Sequence, residues 1–125
     1  MSEPNERALA RLEVEANIWL ASVRPDGRPH LVPLWFAWSG GQIYLCLQIE
    51  SVKARNILQN PRVALALESG SDPLVIEGDA AVVVRPWPEP VVAGFLAKYN
   101  WLITDDATYN GLIAVRPRKW LALGG

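Results

Sequence analysis

The stretch Ser51-Val52-Lys53-Ala54-Arg55-Asn56-Ile57-Leu58-Gln59-Asn60-Pro61-Arg62 reads as a short helix set between two apolar strands. Ser51 suits the N-cap position, because its hydroxyl accepts a hydrogen bond from an otherwise unpaired amide of the first turn. Pro61 has no N–H with which to carry the helix on, so the helix ends near Asn60. Ala54, Ile57 and Leu58 recur at helical spacing and form an apolar stripe, while Lys53, Asn56 and Asn60 fall on another face. A hydroxyl cap, free amides and a first-turn lysine suit this helix start to an anion such as phosphate. The same features also describe an ordinary solvated connector. The flanking segments separate the two readings.

On the N-terminal side, residues 42–49 form a strand that is apolar on both faces, preceded by a tight turn at Gly40-Gly41. Before that turn, residues 29–39 read as one long strand. His30, Val32, Leu34, Phe36 and Trp38 share one of its faces, and Leu31, Pro33, Trp35 and Ala37 share the other. Both faces are apolar, so one should line the core and the other should meet a ligand or a second subunit. Pro33 cannot donate to a ladder, which predicts a bulge or a departure from the neighbouring strand. Further back, Arg24-Pro25-Asp26-Gly27-Arg28 is a turn between hairpin strands, with residues 18–23 as its first arm. Residues 4–17 carry Ala8, Leu9, Leu12 and Ala16 at helical spacing.

On the C-terminal side, strands at 63–68 and 74–85 flank the loop Ser69-Gly70-Ser71-Asp72-Pro73, and Gly78 marks a bulge within the second strand. Trp87-Pro88-Glu89-Pro90 opens a helix whose stripe is Val91, Val92, Phe95, Leu96 and Tyr99. A polar loop at 104–110 holds Asp105-Asp106 as an exposed pair. Residues 112–115 and 120–123 form a last strand, interrupted or bent at Pro117. About six strands, joined mostly by hairpins, predict a mainly β fold, an antiparallel barrel with helices at its ends. No Gly-x-Gly-x-x-Gly follows a strand, so a Rossmann dinucleotide site is not supported.

Composition narrows the function. A chain of 125 residues fits one domain, here 1–125, and half of its residues are apolar. A formal net charge of -1 gives no electrostatic footprint for nucleic acid. One cysteine, Cys46, and one histidine, His30, argue against an internal disulfide and a structural zinc site. There is no apolar run of membrane-spanning length and no signal pattern in residues 1–11, so no membrane partner and a cytoplasmic location are expected. Cys46 and His30 are the one conceivable nucleophile and base, but a thiol in an apolar strand is usually inert packing. Glu68, Glu77 and Asp79 occupy solvent-facing strand positions. Without a catalytic constellation of its own, an enzyme of this sequence would depend on a cofactor for its reactive chemistry.

Three segments in order carry a family resemblance. They are the hairpin Arg24-Pro25-Asp26-Gly27-Arg28-Pro29-His30-Leu31-Val32-Pro33-Leu34-Trp35-Phe36, then Ser51-x-Lys53-Ala54-Arg55-Asn56-Ile57-Leu58, then Asn60-Pro61-Arg62-Val63-Ala64-Leu65. Together they resemble the pyridoxamine 5'-phosphate oxidase-like family, with the ending from Val115 to Trp120 also typical of it. The resemblance implies a six-stranded FMN-binding split β-barrel that works as a homodimer, with cofactor sites at the subunit interface. It implies a flavin (FMN)-dependent oxidoreductase of unknown substrate, with a deazaflavin-dependent reductase or a non-catalytic flavin-binding protein as alternatives. Within it, Val32, Pro33, Leu34 and Trp35, beside His30, would run along the isoalloxazine. Leu47, Gln48 and Ile49 would meet the ring and ribityl chain, and Ser51 and Lys53 would hold the phosphate. Arg55 and Asn56 are second contributors, Arg55 being equally readable as a solvated surface residue. Trp101, Arg116 and Trp120 would reach the site from the second subunit, Trp120 being equally readable as dimer packing. The oxidase proper carries arginine and lysine where this chain has His30 to Trp35, which points away from pyridoxamine phosphate as substrate. Ser51 stands where deazaflavin-binding relatives often have a basic residue, which favours FMN.

Overall fold

The computed structural model describes residues 4–122. Residue 123, assigned by pattern to the last strand, lies outside the described residues. Three α-helices, α1 (Glu6–Val14), α2 (Val52–Gln59) and α3 (Glu89–Tyr99), surround a single sheet. Its strands are β1 (Ile18–Val23), β2 (Pro29–Leu34), β3 (Phe36–Ser39), β4 (Gln42–Leu47), β5 (Arg62–Leu67), β6 (Leu74–Val82) and β7 (Gly111–Ala122). Their spatial order is β2-β1-β5-β6-β7-β4-β3, and every neighbouring pair is antiparallel.

The count is seven strands, where the sequence pattern gives six. The long strand at 29–39 is broken at Trp35, and its two halves go to opposite edges of the sheet. Pro33 signals that departure two residues early, since it still sits opposite Trp19 in the β1–β2 ladder. Two strands joined by one residue can form both edges only if the sheet curls round, and it does so as a half-barrel. Its inner face holds the main core, with Leu12, Ile18, Leu20, Phe36, Ile43, Leu45, Leu47, Leu65 and Ile76 sealed from solvent. Val32, Leu34 and Trp38 pack against that core, so this face of the broken strand lies inward as its alternation predicts. A second apolar cluster lies on the outer face of β3, β4 and β7, where Val91 and Phe95 of α3 cover Ala37, Tyr44, Cys46 and Leu112.

α2 begins as predicted, with the Ser51 hydroxyl accepting from the Ala54 amide at 3.3 Å and the last cap at Asn60. Its buried face is rotated from the expected stripe. Leu58 is 63% exposed, whereas Asn56 is buried beside Ala54 and Ile57. The reason is a polar contact across the packing seam: Asn56 Nδ2 donates to Ser22 Oγ of β1 at 3.1 Å. A buried amide left without a partner costs about 1–3 kcal/mol, enough to turn a two-turn helix toward the partner that satisfies it.

The last strand is also corrected. β7 runs unbroken through Pro117, and a register shift against β6 absorbs the irregularity, pairing Glu77 with Lys119 and Gly78 with Pro117. The missing proline N–H thus falls at a bulge, where a ladder bond is interrupted anyway. Gly78 is what lets the strands approach there, since a Cβ on it would stand 2.5 Å from the Arg116 carbonyl oxygen. Backbone cannot swing aside as a side chain can. Gly78→Ala should therefore cost about 1–3 kcal/mol, read as a lower urea midpoint with unchanged slope; an unaltered midpoint would contradict this account of the bulge.

Candidate functional site

The break at Trp35 creates the site. On its far side, β3 pairs with β4, Phe36 standing opposite Leu45. On its near side, β2 pairs with β1 alone among the described residues, which leaves the other edge of β2 without a ladder. Both ends of the segment from Cys46 to Lys53 come near β2. At one end Cys46 joins Pro33, Leu34 and Trp35 in the wall of one cleft. At the other end His30 and Lys53 are near enough for the lysine charge to depress the histidine pKa. The two walls form a split that is aromatic at one end and positively charged at the other.

The charged end is built on the start of α2. Lys53 is half-buried, and burial lowers its pKa. Among the described residues it makes no ion pair. His30 is held below the ordinary histidine value, first by burial and then by the charges of Arg24 and Lys53. Its Nδ1 is shut off from solvent with no hydrogen-bond partner among the described residues. Shielded polar atoms are rarely left orphaned. An unneutralised ammonium, an unpartnered imidazole nitrogen, a second cation at Arg24 and the helix start together suit a phosphate. Gln48 is exposed and Ile49 half-buried, and the Ile49 amide is fixed by the Asn110 side-chain oxygen at 3.0 Å.

At the aromatic end lies an open cleft of about 570 Å³ between Pro33–Trp35, Cys46, the end of α3 and the loop after it. Trp35 is 47% exposed and lies flat on Tyr99, with centroids 4.4 Å apart and planes 5° from parallel. Trp101 meets Trp35 edge-on at 5.9 Å and Tyr109 at 5.6 Å. Tyr99 also manages the break itself. Its hydroxyl accepts from the Phe36 amide at 3.0 Å and lies 2.7 Å from the Ala16 carbonyl and 3.1 Å from the Phe36 carbonyl. The neighbouring Lys98 Nζ donates to the Leu12 and Phe36 carbonyls, both at 3.2 Å.

Several expected site residues lie away from this split within the single chain. Trp120 is 3% exposed and packs edge-on against Trp38 at 5.7 Å, so it belongs to the core. The Leu47 side chain points into the same core, leaving only its backbone for a ligand, and Asn56 is committed to Ser22. Val32 likewise packs inward. Arg55 is exposed on α2, and Arg116 is exposed on β7 opposite Asp79. The sequence pattern misses Tyr99, Tyr109 and Asp106. Asp106 is half-buried, not an exposed loop residue. Its carboxylate accepts from the Thr108 and Tyr109 amides at 2.9 and 2.8 Å and from Trp101 Nε1 at 3.0 Å. Those bonds, the Tyr109 amide first, hold its pKa below the usual carboxylate value. An aspartate bonding the amides two and three residues on is a recognisable turn pattern.

The curled antiparallel sheet with its three helices among the described residues puts the chain in the mainly β class. A sequence profile described as pyridoxamine 5'-phosphate oxidase matches residues 5–122, and the chain belongs to that family. Among solved structures it is similar to an F420 reductase, at 28% identity and a TM-score of 0.71, covering 95% of this chain and 98% of that one. It is similar in fold to the heme storage protein HutZ from Vibrio cholerae, at 18% identity and a TM-score of 0.79, covering 94% and 93%. A putative pyridoxamine 5'-phosphate oxidase from Listeria innocua shares 23% identity at a TM-score of 0.75, covering 96% and 98%. Among curated proteins no sequence matches the chain. No helix among the described residues is long and apolar enough to cross a membrane.

Lys98 supplies a test of how tightly this end of the fold is packed. Burial lowers its pKa from 10.5 to about 8, against the opposing pull of Glu13 and Glu15. Between those values the unfolded chain holds a proton that the folded chain has released. The Lys98-dependent part of the stability therefore rises with pH across that window. Wild type should gain urea resistance relative to Lys98→Met as pH is raised from 7.5 to 9.5; a constant difference would show that Lys98 is solvated.

Proposed function

We propose that this chain is an FMN-dependent oxidoreductase whose flavin lies in the split between β2 and the 46–53 segment. The observation that carries this reading is the polarity of the split, with an unneutralised Lys53 beside the orphaned His30 Nδ1 at one end and Trp35 at the other. Ser51 Oγ, Lys53 and the first amides of α2 hold the phosphate, with Arg24 adding positive potential and the unpartnered His30 Nδ1 adding a polar contact. Pro33, Leu34 and Trp35, with the backbone of Leu47, Gln48 and Ile49, flank the ring. FMN supplies the hydride chemistry when bound, and the chain's own part is to fix its phosphate, orient its ring and limit water around it.

The reading includes closure of the half-barrel as a split barrel and a homodimer with two interface sites. Leu31, 61% exposed, and Trp19, 36% exposed, lie on the outward face that such a dimer would cover. Arg116 and Trp101 are its candidate contributions across the interface. A cytoplasmic setting and a small-molecule substrate complete it. The likeness to an F420 reductase favours a second reading, in which the deazaflavin coenzyme occupies the same split. A flavin carrier without turnover is the non-catalytic form of the proposal.

Lys53→Ala removes the one charge-assisted bond that α2 offers the phosphate. FMN affinity should fall roughly ten- to a hundredfold, the equivalent of about 1.5–3 kcal/mol, with riboflavin affinity nearly unchanged. Equal FMN affinities of mutant and wild type by fluorescence titration would refute the phosphate assignment. Failure of the wild type to bind either FMN or the deazaflavin coenzyme would refute the proposal as a whole.

A further inference from the structure

The cleft at the aromatic end has a charge character of its own. Its lining includes Trp35, Tyr99, Trp101 and Tyr109, together with Asp106, and no lysine or arginine. Tyr99 covers one face of Trp35 at 4.4 Å, and Trp101 sets its edge, so the indole is held in place before any ligand arrives. Trp35 remains 47% exposed and lines the cleft. Flat π faces carry negative potential above the ring and attract cations.

Asp106 adds a full negative charge to this wall. Its three hydrogen bonds come from neutral N–H groups, and among the described residues it makes no ion pair. The hydrogen bonds orient the carboxylate without cancelling its charge. Cys46 stands beside the same loop, its thiol donating to the Tyr109 carbonyl at 3.4 Å. Burial and then the Asp106 charge push its thiol up to about 12, and the opposing influence of Arg85 is smaller. Arg85 lies with its guanidinium 3.8 Å above the Trp87 ring.

We infer that this cleft binds planar cationic heteroaromatic molecules, which stack on Trp35 with their positive charge toward Asp106. The inference deepens the proposed function by naming the substrate class of the same site, and it rests on that reading only for the turnover of such a molecule. A volume of about 570 Å³ accommodates a ring system of two or three fused rings. An anionic phosphate ester would meet the Asp106 charge unfavourably in this cleft.

A matched pair of probes tests it. N-methylacridinium is permanently cationic, whereas acridine at pH 8 is neutral with the same ring system. Binding to the full chain without FMN is read by tryptophan quenching and by calorimetry. The cation should bind about tenfold more tightly than the neutral ring at low salt, and the preference should shrink at high ionic strength. Trp35→Leu should weaken both probes, and Asp106→Asn should remove the preference while leaving the stacking. Should Asp106→Asn misfold, the salt dependence in the wild type decides the question alone. Equal affinity for the two probes, binding of neither, or a preference that ignores both salt and Trp35→Leu would overturn the inference. The FMN titration is independent of these measurements. FMN binding without cation preference sinks only this inference, and cation preference without FMN binding sinks only the cofactor reading.

Discussion

The fold depends on what happens at the backbone of Phe36. The chain leaves one edge of the sheet at Leu34 and joins the other edge at Phe36, with Trp35 alone between them. A strand that changes partners must leave peptide groups without a ladder, and each unsatisfied buried group costs about 1–3 kcal/mol. Tyr99 and Lys98 meet that cost from the last turn of α3. The tyrosine hydroxyl accepts from the Phe36 amide, and both side chains stand within hydrogen-bonding distance of its carbonyl. The same two residues reach the Leu12 and Ala16 carbonyls, so one helix end ties together α1, the entry to β1 and the strand break. The split and the Trp35 platform both follow from this arrangement.

The strand alternation, the helix caps and the turns are local, and the sequence carries them openly. Gly27, Gly40 and Gly41 take positive φ as their turns require, and Ser51 and Asn60 close α2 as expected. What the pattern cannot carry is the destination of each half of the long strand. Residues 29–39 alternate without interruption, so nothing in their periodicity says that ladder partners change at Trp35. Pro33 comes nearest to a signal, and it falls two residues away. The rotation of α2 is hidden for a similar reason. Asn56 looks solvent-facing by polarity, and only the proximity of Ser22, 34 positions away in the chain, makes it buried.

The same division runs through the site. Ser51 and Lys53 stand out in the sequence because the chemistry of a helix start is local, and the fold brings His30 within electrostatic reach of Lys53. The aromatic end is not local. Trp35, Tyr99, Trp101 and Tyr109 come from a strand break, a helix end and a loop, and helical spacing alone places Tyr99 in a packing stripe. The tryptophan count hints at such a surface. Trp38, Trp87 and Trp120 are structural, Trp35 and Trp101 form the cleft, and Trp19 stands on the outward face. Family membership accounts for the architecture, whereas the Asp106 carboxylate gives the aromatic end a charge opposite in sign to that of Lys53 at the other end.

The central claim is that the split between β2 and the 46–53 segment is the cofactor groove. Its most direct test is a crystal structure of the protein with FMN. The account predicts phosphate at the amides of Val52 and Lys53 within reach of His30, and the ring extending along Pro33 and Leu34 toward Trp35. FMN found on another surface, or with its phosphate away from Lys53, would contradict it.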